Sequence, residues 1–175
     1  MTTLSPTAIL VRWNALDAAS AAREILPCCG SQAWADAVTA SRPFAAPAAL
    51  FEASDAVWAV LPESAWRQAF DSHPRIGQQH ARAATAESLA WSSQEQRAAM
   101  SQDDAAKLAL AEANRRYEEK FGRIFIVCAS GKSAAEILTI LERRMHNSAA
   151  AELLEAAEQQ RQITQLRLRR WLGVN

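Results

Sequence analysis

Only three histidines, His73, His80 and His146, occur among the 175 residues. His73 stands in Asp71-Ser72-His73-Pro74-Arg75-Ile76-Gly77, and the proline after it pushes His73 out of the helical region. An imidazole gives or takes a proton near neutral pH. A histidine whose direction is set by a proline turn is therefore a candidate proton donor. Its other role would be to cap the C-terminal carbonyls of the preceding helix. Glu95, in Ser92-Ser93-Gln94-Glu95-Gln96, also has two readings. Ser-x-x-Glu spells a capping box, with the carboxylate bonded back to the Ser92 N–H. The alternative is a carboxylate that orients a histidine or accepts ligand N–H groups. Ser92, Ser93, Gln94 and Gln96 would then join it at a helix N-terminus, which favours anions.

Ile124-Phe125-Ile126-Val127-Cys128-Ala129 is too apolar for side-chain chemistry. It offers backbone amides and an apolar floor for a flat ligand, and it is the one credible strand or buried extended segment. Cys128 reads as a buried small hydrophobe, because nothing nearby in sequence would lower its thiol pKa. Gly131-Lys132-Ser133 lacks the earlier glycine of a phosphate-binding loop. Arg161, Arg167, Arg169 and Arg170 are spread around the last helix, where one facing inward could hold a carboxylate bidentately. His80 and His146 read as surface residues. Three cysteines, two adjacent, with no C-x-x-C make neither a disulfide framework nor a structural zinc site.

Helices must position these groups. Ala accounts for 39 of the residues, against 5 Gly and 6 Pro, a balance that favours helix and disfavours turns. Helices are expected over 5–13, 17–26 (closed by Pro27 and Gly30), 32–40, 48–60 and 62–70. Leu50, Val57, Trp58 and Leu61 are core candidates. The irregular stretch 71–91 follows, then helix resumes at 92 and again over 103–121. In that second helix Leu108, Ala111, Tyr117 and Phe121 form a stripe, and Gly122 is the C-cap. Ser133-Ala134-Ala135-Glu136 is a capping box for a helix to about residue 146, and 149–172 is the last helix. No linker or repeat divides the chain, so one all-α domain over 1–175 with about eight helices is expected.

Nineteen Lys+Arg balance nineteen Asp+Glu, which argues against nucleic acid, whose binders carry a basic footprint. No apolar run of about 18 residues suggests a membrane span. The first ten residues lack a basic-then-apolar leader, so a cytoplasmic protein is expected.

Phe70-Asp71-Ser72-His73-Pro74-Arg75-Ile76-Gly77 and Trp91-Ser92-Ser93-Gln94-Glu95-Gln96 resemble the signature motifs of the 2-oxo-4-hydroxy-4-carboxy-5-ureidoimidazoline (OHCU) decarboxylases. The resemblance extends through Asn114, Tyr117, Lys120-Phe121-Gly122, the run Phe125 to Ser133, Leu141 to Asn147, Glu152, Ile163 and Arg167-Leu168. It implies an all-α, cofactor-free, metal-free homodimer of urate catabolism that converts OHCU into (S)-allantoin and CO₂. It assigns His73 as catalytic acid and Glu95 as its partner and a substrate ligand. Pro74, Ser92 and Gln96 would line the pocket, with Ser93 and Gln94 in the same substrate-binding element. Phe125, Ile126, Val127, Cys128 and Ala129 would meet the ring through their backbone, and Arg167 would be the inward arginine. Arg123 stands where the family usually has an aromatic. The competing reading is a non-catalytic helical interaction module, with His73 a cap and Glu95 a capping-box member. A cyclic-amide hydrolase or isomerase would need a metal or an activated nucleophile, and the sequence displays neither.

Overall fold

Side-chain oxygens mark where several helices begin in the computed structural model, which describes residues 5–76, 85–97 and 104–174. Ser5, Asp17, Ser31, Thr85 and Ser133 each accept the backbone N–H three residues on, satisfying a donor that a helix start leaves open. Among the described residues the chain forms nine helices. They are α1 (Pro6–Asn14), α2 (Ala18–Cys29), α3 (Gln32–Ala40), α4 (Pro47–Val60), α5 (Glu63–Asp71), α6 (Ala86–Glu95), α7 (Asp104–Phe121), α8 (Ala134–Arg144) and α9 (Ala149–Leu172). The expected all-α class holds, and segment 124–129 is extended without forming a strand. None of these helices is long and apolar enough to cross a membrane. Gly77 and His80 lie outside the described residues.

The chain gathers into two compact units, Met1–Ala69 with Arg161–Asn175, and Phe70–Gln160. The first is built on aromatics. Trp13 and Trp34 are fully buried and Trp58 nearly so. Their polar edges are satisfied locally: Trp13 Nε1 donates to Ala21 O at 3.0 Å and Trp34 Nε1 to Ser54 Oγ at 3.3 Å. Of the six tryptophans, Trp13, Trp34 and Trp58 are buried and Trp66, Trp91 and Trp171 half-buried. Leu50 and Trp58 are core as expected, whereas Val57 and Leu61 are only half-buried. Pro27 falls inside the last turn of α2, and Gly30 at φ 85° ends the helix, a left-handed position that glycine occupies without strain.

The second unit packs Leu110, Ala113, Tyr117, Phe121, Phe125, Val127, Ile137 and Leu141 into one cluster. The α7 stripe therefore runs 110–113–117–121, a regular 3–4–4 spacing. Leu108, expected in it, is 74% exposed, because two residues' displacement turns a side chain about 200° around the axis. Ala111 is exposed too. Gly122 at φ 67° ends α7 as expected. The Ser133–Glu136 capping box forms in both directions: Glu136 accepts the Ser133 N–H, and Ser133 accepts the Glu136 N–H.

One expected boundary is reversed. The expected helix start at Ser92 is not found: α6 runs Ala86–Glu95 with Thr85 as its N-cap. Ser-x-x-Glu spells a cap only if nothing upstream is helical; here Ala86, Leu89 and Ala90 extend the helix back to Thr85. Ser92 and Glu95 thus lie in the last turn, which presents carbonyl oxygens. The capping-box role for Glu95, and an anion site on amides of a helix starting at Ser92, are both removed.

Candidate active site

The turn after α5 is anchored at three points. The His73 backbone N–H donates to Phe70 O at 3.0 Å, closing α5. Arg75 forms a fork on Glu118 of α7, Nε to Oε1 at 2.5 Å and Nη2 to Oε2 at 2.7 Å. Ile76 packs against the α7–α8 cluster. Ser72 and Pro74 are buried, while His73 is half-buried. The helix-capping job therefore belongs to the His73 backbone, and its side chain has other work. His73 Nε2 lies 2.8 Å from Oε1 of Gln160 on α9. An amide oxygen accepts, so this bond forms with the tautomer that carries its proton on Nε2.

The same turn of α9 reaches the extended segment. Gln159 Oε1 accepts the Cys128 N–H at 2.9 Å. Lys132 Nζ donates to Cys128 O at 2.7 Å, so the Gly-Lys-Ser spelling serves a loop and a helix cap. Arg144 Nη1 donates to Ile126 O at 2.7 Å. These backbone groups, expected to await a ligand, are already engaged by side chains that fix the segment's course. Phe125, Ile126, Val127 and Ala129 are buried and Cys128 is half-buried, more open than expected.

Behind the segment sits a buried ionic cluster. Arg144 and Glu152 have side chains only 2% and 0% exposed, 2.5 Å apart. Glu152 also accepts Asn147 Nδ2 at 2.8 Å and the Tyr117 hydroxyl. Burial, the bond to Glu152 and its negative charge all push the Tyr117 hydroxyl pKa up, so it remains a donor at any working pH. The Arg144 guanidinium lies 4.6 Å from the Phe125 ring centre. Arg123, in the place of the usual aromatic, stacks 5.7 Å from the Phe121 ring centre.

On α6, Ser92, Glu95 and Gln96 are buried, whereas Ser93 and Gln94 are exposed. Arg167 is the inward arginine of the last helix, fully buried in the first unit, with Nη1 3.3 Å from Pro27 O. Of the other arginines there, Arg161 bonds Asp55 at 2.8 Å and Arg169 lies over Phe51. Beside Arg167, burial pushes the Cys29 thiol pKa up to about 12, which makes it inert. His146 is exposed, as expected.

Sequence reasoning missed Gln160, although a signal existed. Along α9 the buried positions include Glu152, Ala156, Gln160, Ile163, Thr164, Arg167 and Leu168. Gln160 is a fully buried polar residue on a helix's inner face, and such a residue is held there by a hydrogen bond.

The described residues thus include a proline-locked histidine held by an amide and, on α6, a buried carboxylate, Glu95. Comparison with known proteins narrows this. The family model for OHCU decarboxylase matches residues 14–169. The Uric acid degradation bifunctional protein TTL of Arabidopsis thaliana is 37% identical over 142 residues, covering 81% of this chain and 44% of that protein. This chain thus spans less than half of that relative. The 2-oxo-4-hydroxy-4-carboxy-5-ureidoimidazoline decarboxylase of Amia calva is 32% identical over 136 residues, 77% of each. A crystal structure of OHCU decarboxylase in the presence of (S)-allantoin superposes with a TM-score of 0.74 at 33% identity, covering 86% of this chain and 97% of that one. A crystal structure of (S)-allantoin synthase shares the fold, with a TM-score of 0.67 at 18% identity, over 93% of this chain and 53% of that one. The chain belongs to the OHCU decarboxylase family.

Proposed function

We propose that this protein decarboxylates OHCU to (S)-allantoin, with His73 as proton donor and Glu95 as the carboxylate that orients the imidazole or binds the ureido N–H groups. The observation that carries the reading is His73 itself. It is half-buried, turned by Pro74, and held through Nε2 by Gln160, in a chain whose family shares this chemistry. Loss of CO₂ leaves an electron pair that the adjacent imine absorbs. The hydroxyl-bearing carbon becomes the carbonyl, and one proton must reach one face of the ureido-bearing carbon. The ring provides its own electron sink, so no cofactor is needed in this scheme.

Pro74, Ser92 and Gln96 line the pocket in this reading, with Ser93 and Gln94 at its outer edge. The 125–129 segment is its apolar floor. General acid help contributes about 10²–10⁴ in rate, so the enzyme acts as much on stereochemistry as on speed. The whole 1–175 chain serves as one catalytic domain, acting in the cytoplasm as a homodimer. Feeding freshly generated OHCU to the protein and following circular dichroism of the product tests this. Accumulation of an (S)-allantoin signal above the spontaneous reaction supports it; racemic product at the uncatalysed rate defeats it.

A further inference from the structure

Gln160 has no place in any motif above, yet its side chain is fully buried and meets His73 across 87 residues of sequence. Burying a carboxamide without partners is unfavourable, so its position calls for a bond that offsets the burial. We infer that Gln160 is a positioning residue that sets the tautomer and orientation of the His73 imidazole. This rests on the proposed role of His73 and deepens it.

Three features support the assignment. The oxygen of Gln160 is the atom facing Nε2, at 2.8 Å, and an amide oxygen accepts, so the contact favours the tautomer with its proton on Nε2. The holder is uncharged. A carboxylate in its place would stabilise the imidazolium and raise its pKa, whereas an amide orients the ring and keeps proton release easy. Finally, the holder stands on stiff ground. Gln160 belongs to the interior of a 24-residue helix, and the preceding residue, Gln159, grips the Cys128 N–H at 2.9 Å. One helical turn thereby fixes both the acid and the apolar floor. Of the charges on the His73 turn, Arg75 is engaged by Glu118, and Asp71 is exposed.

The step balances simply. A C–H bond forms at the ureido-bearing carbon as an N–H bond of the imidazolium breaks, that bond's electron pair stays on the ring, and water restores the proton.

Gln160→Leu and Gln160→Glu in the full chain test this, with thermal melts as the check on folding. Gln160→Leu should lower kcat by up to about 10²-fold, the cost of a misplaced catalytic group, with KM nearly unchanged and less enantiomeric excess. Gln160→Glu should recover part of kcat and move the alkaline limb of its pH profile upward by about 1–3 units. Imidazole ¹⁵N spectra give a reading independent of turnover. Wild type should show neutral His73 protonated at Nε2, and Gln160→Leu should lose that preference. A folded Gln160→Leu protein with wild-type kcat, or wild-type His73 protonated at Nδ1, would overturn the inference. If the spectra agree while wild type forms no (S)-allantoin, the proposed function fails and the positioning role stands.

Discussion

Two of the fully buried polar side chains of helix α9, Glu152 and Gln160, stand eight residues apart, and they are built in opposite ways. Glu152 is saturated, accepting from Arg144 twice, from Asn147 and from Tyr117. Charge meets charge in the dry interior, and Arg144 extends the cluster to the Ile126 carbonyl. Gln160 is neutral and reaches a half-buried histidine. A saturated ionic cluster is suited to holding backbone in place, because moving any member strands a buried charge. A neutral amide on a half-exposed ring is suited to chemistry, because the ring can still change its charge.

This contrast divides the expected effects of mutation. Glu152→Ala leaves the Arg144 guanidinium buried without its partner, and should cost about 3–5 kcal/mol in urea unfolding. A loss below about 1 kcal/mol, the range of exposed pairs, would break the distinction drawn here. Gln160→Leu should show the reverse pattern, with a large effect on kcat and a small one on stability.

Ser133→Ala, away from both groups, removes the N-cap of α8 and should cost about 1 kcal/mol. The companion residue adds a pH dependence. Hydrogen bonds from Ser133 hold the Glu136 carboxyl below the ordinary glutamate pKa. The ionised carboxylate therefore favours the fold at pH above that value, and its contribution is lost as pH falls through the lowered folded-state pKa. The stability gap between wild type and Glu136→Ala should narrow across that acid window; a gap independent of pH would remove the ionic part of the cap. Smallest is Arg75→Ala. The Arg75 side chain is 44% exposed, so losing the ion pair should cost less than about 1 kcal/mol. A larger loss by thermal melt would place this pair with the Glu152 cluster.

Much of this fold was legible because its punctuation is local. Ser5-Pro6, Ser133-x-x-Glu136 and Gly122 each act within one turn, and each does what its spacing implies. His73-Pro74 was legible for the same reason. The misreadings arose where one spelling suits two structures. Ser92-x-x-Glu95 fits a helix start and a helix end equally, and only the upstream helix decides. Leu108 was placed by its chemistry when phase placed Leu110. Gln160 and the Arg144–Glu152 pair depend on what tertiary folding brings opposite them. For Gln160 that is a residue 87 positions away, and no periodicity along the chain encodes it.

The central claim is that His73 delivers the stereochemically decisive proton. His73→Ala, with its helical circular dichroism and melting transition checked against wild type, should be supplied with freshly generated OHCU. The account predicts a folded protein whose product gives no more (S)-allantoin signal than the spontaneous reaction, a rate loss of about 10²–10⁴ for the missing acid. A folded His73→Ala protein that still builds the full (S)-allantoin signal would contradict it.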